Sequence, residues 1–194
     1  MQATFHASPN FSPRDADVKF IVLHGTWMSD DAEVVQRLCD ADAEVSCHYF
    51  IDFNANLHQF VKEEDSAWHA GVSCWQGIEG INKHSIGIEV SNLGEEAGVP
   101  YTEAQYTALI VLLKDLLARY NLPPEAVIGH SDIAPNRKND PGAHFDWKIL
   151  EEAGVAAKPK LSDNPTMAEL QAFGYHGEEA DIRAAYKRRT CLVA

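Results

Sequence analysis

The chain has 194 residues, of which 45% are hydrophobic and 23% charged, and its net charge is −13. That length can fill one core with a small appendage beside it, and the ordinary apolar content fits a soluble globular protein. The acidic balance disfavours nucleic acid, which calls for a basic face, and no apolar run approaches the ~20 residues of a membrane helix.

Residues 1–17 are polar and turn-rich, with Pro9 and Pro13, and are expected to wrap the surface. Met1 to Arg14 has no apolar core of the secretory kind, so the expected location is cytoplasmic. Phe20–Leu23 reads as a buried strand that runs into His24-Gly25-Thr26-Trp27. Asp30 starts a helix, with Glu33 three residues on as in a capping box, and Val34, Val35 and Leu38 form its apolar face.

His48–Asp52 and Leu57–Val61 read as a hairpin, with Asn54 and Asn56 suited to the turn. Trp68-His69-Ala70-Gly71 opens a loop to His84 that is too long to be idle in a compact domain. Ser85–Val90 is a strand with Ile86, Ile88 and Val90 on one side and Gly87 and Glu89 on the other. Thr102 to Tyr120 is the clearest helix, opened by a Thr102/Gln105 capping box and stopped at Asn121 and Pro123-Pro124. Ala126–Gly129 is a strand leading to His130, and Trp147–Gly154 a short helix.

Residues 156–165 read as a linker between a main domain (1–155) and a helical tail (166–194). In the tail, Asn164 is expected to cap a first helix with Pro165 at its first position and Gly174 past its end. A second helix is expected over Glu178 to Arg188. Two helices of that size bury little core alone, so they dock on the main domain or belong to a larger unit. The four cysteines, Cys39, Cys47, Cys74 and Cys191, form no C-x-x-C pair and read as buried reduced thiols.

His24 and His130 each close an apolar run, which can bring two imidazoles to one edge of a sheet. Asp140 follows in a loop stiffened by Pro135 and Pro141. Two nitrogens and one oxygen, with a fourth position left for water, make a catalytic zinc set suited to amide hydrolysis. His144 is close enough to Asp140 in sequence to compete as a ligand. Glu89 is the candidate base, and Lys138 the candidate cation for a developing oxyanion. Trp68 and His69 are expected to wall a pocket. Arg137, Lys138 and Lys83 are the nearby cations an acidic chain needs to bind an anionic substrate.

Three segments carry a resemblance: Ile21-Val22-Leu23-His24-Gly25-Thr26; Ala67 to Ser73 with Ser85-Ile86-Gly87-Ile88-Glu89; and Gly129 to Pro135 with Arg137-Lys138-Asn139-Asp140-Pro141-Gly142. From Val18 to Gly154 the chain resembles the zinc N-acetylmuramoyl-L-alanine amidases of the AmpD and AmiD type. The resemblance implies an α/β fold, a central mixed sheet flanked by helices on both faces. It implies one Zn2+ per chain on His24, His130 and Asp140, with Glu89 and Lys138 catalytic, and peptidoglycan fragments as substrates. The tail from Thr166 resembles the start of a helical peptidoglycan-binding module. In the phage-lysozyme and recognition-protein branches a catalytic tyrosine stands where this chain has Cys47, so that role falls to Glu89. The competing reading is a peptidoglycan-recognition module without catalysis. Such modules typically lose a ligand, and this chain keeps all three. A structural zinc site, which usually closes with a fourth protein ligand, ranks last.

Overall fold

The computed structural model describes residues 2–162 and 164–190. In chain order the elements are β1 (Thr4–Phe5), β2 (Phe11–Pro13), β3 (Phe20–Gly25), α1 (Asp31–Cys39), β4 (Tyr49–Ile51), β5 (Leu57–Gln59), β6 (Asp65–Ala67), β7 (Cys74–Trp75) and β8 (Ile78–Glu79). They continue with β9 (Ser85–Val90), α2 (Glu103–Tyr120), β10 (Val127–Gly129), α3 (His130–Ile133), α4 (Trp147–Glu152), α5 (Met167–Phe173) and α6 (Glu179–Thr190). The main sheet has the order β1-β5-β4-β9-β3-β10, with only the β4–β5 pair antiparallel. This is the mixed sheet flanked by helices that the sequence leads one to expect.

Strands β3 and β9 are central, parallel and covered on both faces, which is why they read as nearly continuous apolar runs. Ile21, Leu23, Ile86, Ile88 and Val90 point to one face and pack with α2 and α4. Phe20, Val22 and Ile128 point to the other, where Trp75, Ile133 and the tail residues Leu170, Tyr175, Ile182 and Ala185 cover them. A third cluster sets Val34 and Leu38 of α1 against Phe50, Phe60 and Cys47. The tail therefore docks on the sheet.

Several local expectations change. The first residues do not merely wrap the surface, because β1 extends the main sheet and β2 pairs with β6. In the β4–β5 turn it is Ala55, not an asparagine, that takes the left-handed backbone, at φ 62. Asn56 instead binds both carboxylate oxygens of Asp52 through its backbone and side-chain N–H. The Asp30 side chain caps α1 by accepting from the N–H of Ala32, with no reciprocal bond from Glu33. The stretch from Trp68 to His84 contains the β7–β8 hairpin, whose turn residues Gln76 and Gly77 have φ 50 and 76, as a two-residue hairpin turn needs. The cap of α5 is Thr166, not Asn164: Thr166 and Glu169 form a reciprocal capping box that satisfies two backbone donors at once. Of the thiols, Cys47 is buried while Cys39 and Cys74 are partly exposed, and Cys191 lies outside the described residues.

Candidate active site

The carboxyl ends of the parallel strands β3, β9 and β10 lie together, the usual place for a site in an α/β sheet. His24 on β3 is in register with Glu89 on β9. Both side chains point away from the α2 face, because they alternate with Leu23 and Ile88. His130 follows β10 directly and opens α3. The loop after α3 folds back so that the Asp140 carbonyl accepts from the N–H of Ser131.

The three proposed ligands converge. His24 Nδ1 lies 2.9 Å from His130 Nδ1 and 3.1 Å from Asp140 Oδ2, and His130 Nδ1 lies 3.0 Å from the same oxygen. All three residues are buried, and they are the only group able to hold a metal found among the described residues.

Hydrogen-bond bookkeeping shows what these atoms present. His130 Nε2 faces the Ala70 carbonyl at 3.2 Å. A carbonyl only accepts, so the proton is on Nε2 and the inward Nδ1 offers a lone pair. The Ser85 hydroxyl donates to the Ile81 carbonyl, so its oxygen accepts from His69 Nε2 at 3.1 Å. His69 Nδ1 is then a lone pair, which accepts from His24 Nε2 at 3.0 Å. His24 Nδ1 is thereby also left as a lone pair. Three acceptor atoms about 3 Å apart need a cation between them. A proton is a poor candidate, because burial and the neighbouring His130 push the His24 pKa down to about 4. Two imidazoles and a carboxylate are a donor set for zinc, so the residues fit the ion.

Glu89 stands beside this centre. Its Oε2 is buried with no hydrogen-bond partner. Burial, then the charge of Asp140, raises its pKa to about 8, and Lys138 opposes the shift. Lys138 also acts electrostatically on His24, and its side chain makes no hydrogen bond or ion pair among the described residues. The Cys47 thiol is fully buried, and desolvation followed by the Glu89 charge raises its pKa well above the usual thiol range. It therefore stays protonated and cannot serve as a base.

His69, Lys83 and His144 depart from what the sequence suggests. His69 is not a pocket wall: it is buried behind His24 in a slot left by Gly87, where a β-carbon would stand 2.4 Å from the imidazole. Trp68 is half-buried and donates its indole N–H to Ser12 Oγ at 2.9 Å. Lys83 pairs with Asp15 on the surface, and His144 faces the Glu95 carbonyl instead of the metal centre. Arg137 is exposed, with its guanidinium donating to the carbonyls of Ala70 and Val72. Sequence reading missed the Ser85 link and also Trp27, an indole left 39% exposed after the His24 strand.

Comparison with known proteins shows the family. A family model described as N-acetylmuramoyl-L-alanine amidase matches residues 14–143. The chain is 41% identical to the N-acetylmuramoyl-L-alanine amidase AmiD of Escherichia coli over 155 residues, covering 73% of this chain and 55% of AmiD. It thus spans about half the length of that relative. It is 34% identical to the 1,6-anhydro-N-acetylmuramyl-L-alanine amidase AmpD of Haemophilus influenzae, covering 73% of this chain and 86% of AmpD. Among solved structures, E. coli AmiD in complex with anhydro-N-acetylmuramic acid-L-Ala-D-gamma-Glu-L-Lys superposes with a TM-score of 0.76 at 32% identity, over 92% of this chain and 81% of that one. Sequence, sheet and site together place this chain in the N-acetylmuramoyl-L-alanine amidase family.

Proposed function

We propose that the chain is a zinc-dependent amidase that hydrolyses the bond between N-acetylmuramic acid and L-alanine in soluble peptidoglycan fragments. The observation that carries the reading is the convergence of His24, His130 and Asp140 beside an unpartnered Glu89 carboxyl. A module that only recognised peptidoglycan would need neither the full ligand set nor a base in register with it. The AmiD complex supports the substrate class, since that relative holds an anhydro-muropeptide.

A zinc ion held by these three residues would lower the pKa of a bound water toward ~7 and polarise a carbonyl. Glu89 takes a proton from the attacking water and passes it to the leaving amine of L-alanine. Without an ion, burial and the Asp140 charge raise its pKa to about 8; a zinc ion beside it would draw that value down, toward a group that can accept and return a proton near neutral pH. Lys138 sets positive charge beside the developing oxyanion. Arg137 and Trp68 belong to the groove in this reading, with Arg137 facing the carboxylates of the stem peptide. His69 supports His24 from behind.

The test is product identity. Zinc-loaded protein incubated with a defined muramoyl-peptide should release the free stem peptide and the intact sugar, read by mass spectrometry. Cuts within the peptide or between sugars, with the muramoyl–alanine bond intact, would overturn the assignment. Cell fractionation decides between the cytoplasm and the envelope as the working location.

A further inference from the structure

Trp27 is built into the site rim in an unusual way. Its backbone has φ 51, a left-handed angle that a bulky residue seldom adopts. Held there, its indole lies on a bed of three glycines: Gly25 at the end of β3, and Gly94 and Gly142 in two loops. A β-carbon at Gly25 would stand 3.2 Å from the indole Nε1, one at Gly94 3.3 Å from Cγ, and one at Gly142 3.7 Å from Cζ2. Each glycine also lies close in sequence to a candidate site residue: Gly25 follows His24, Gly94 follows the strand of Glu89, and Gly142 lies two residues past Asp140. The glycines leave room for the ring, which remains 39% exposed. Its Nε1 has no acceptor among the described residues.

The surface so formed is a flat apolar face with one free N–H donor. The charged groups at the bed, Glu95 and Arg188, are paired with each other at 3.1 Å. Glu95 Oε1 also accepts from the N–H of Ala143. The free cation Lys138 and the exposed Arg137 belong instead to the turn before Asp140. A muramoyl-peptide has the matching division, with a neutral ring bearing axial C–H groups on one side of the scissile amide and an anionic peptide on the other.

We infer that Trp27 is the platform for the saccharide ring, stacking on its C–H face and donating Nε1–H to a sugar oxygen. This deepens the amidase reading and rests on it for the orientation of the substrate. The ring orders the sugar, and the Arg137–Lys138 turn takes the peptide.

Two measurements on the zinc-loaded full chain test the inference. The first compares a muramoyl-peptide with a lactoyl-peptide that keeps the scissile amide but lacks the sugar ring. Trp27→Ala retains the β-carbon, and so the backbone strain, and removes only the ring. The kcat/KM ratio of sugar-bearing to sugar-less substrate should fall roughly tenfold, mostly through KM, as expected for uncovering one aromatic face. Trp27→Phe should restore most of it. The second is binding of free N-acetylmuramic acid, followed by ligand-detected NMR, which should weaken in Trp27→Ala and needs no turnover. If the sugar binds through Trp27 but no amide is cut, the amidase reading fails and the platform stands. An unchanged substrate ratio together with unchanged sugar binding in Trp27→Ala would overturn the platform.

Discussion

Glu89 shows how a single residue can be set by its surroundings. Its carboxyl has been raised to about 8 because burial and the Asp140 charge outweigh Lys138. The sign of the linkage follows: a pKa above the unfolded value gives stability that is complete below about 4.5 and is lost as pH rises through about 8. Glu89→Gln keeps the shape and removes both the charge and the base. In the metal-free protein it should flatten the fall in thermal stability between those two pH values. In the zinc protein it should reduce turnover by ~10²–10⁴ while zinc content stays at the wild-type level. Near-normal turnover would move the base role elsewhere. His69 is the second residue to test. It holds His24 in the tautomer with Nδ1 free, so His69→Ala should weaken zinc binding about 10–100-fold in a chelator competition, with Asn a partial rescue because its carbonyl can accept from Nε2–H. Unchanged affinity would show that the ring only fills space. The convergence of His24, His130 and Asp140 was legible in the sequence because each closes an apolar run or stands in a proline-bounded loop. His69 and Trp27 were not, since their roles depend on Gly87 for one and on Gly25, Gly94 and Gly142 for the other. The missing β-carbons of these glycines mark space that only the folded chain defines.

At the scale of elements, Glu63 ties three pieces together. It lies between β5 and β6 and accepts from the Tyr49 hydroxyl on β4 and from Arg119 and the Tyr120 hydroxyl at the end of α2. Burial works against its charge, yet Arg119 and the two hydroxyls outweigh it and lower the pKa to about 2. A depressed carboxylate gives stability that is present above about 4.5 and lost as pH falls through about 2. Glu63→Gln should therefore cost about 1–2 kcal/mol at neutral pH, an amount reduced by the exposure of Arg119, and the gap to wild type should close toward pH 2 in urea titrations. A gap that stays constant with pH would refute the account. Element types were readable where local signals agree, as in the Thr102/Gln105 box of α2. In the tail two start signals compete. The Asn164-Pro165 pattern loses to Thr166 and Glu169, which satisfy each other's donors.

At the scale of the molecule, the tail reaches both loops that carry the candidate ligands His130 and Asp140. Tyr175 donates its hydroxyl to Asp132 Oδ1 at 2.6 Å, and Asp132 Oδ2 accepts from the N–H of Gly129, next to His130. Arg188 pairs with Glu95, which holds Ala143 near Asp140. Arg189 stacks 3.7 Å over Trp147. The sequence leads one to expect that removal of residues 166–194 leaves the catalytic centre intact, because every candidate catalytic residue lies before them. These contacts predict the opposite: the truncation should lower both the melting temperature and the zinc affinity. Tyr175→Phe, which removes only one hydroxyl, should lower zinc affinity less than the truncation does. Full zinc affinity in a folded truncated protein would refute the dependence. The order of the strands and the tail's seat on the sheet were hidden in the sequence because both depend on pairings between distant segments.

The seat of the tail also has a consequence in time. Phe20, Val22, Trp75 and Ile128 face the cluster that Leu170, Tyr175, Ile182 and Ala185 close. A ribosome makes those closing residues after every strand of the sheet, at roughly 5–20 residues per second. For seconds of each synthesis, the nascent chain carries an open apolar face and unbraced ligand loops. Chaperone occupancy of the growing chain should therefore end, and metal capture begin, when α6 emerges.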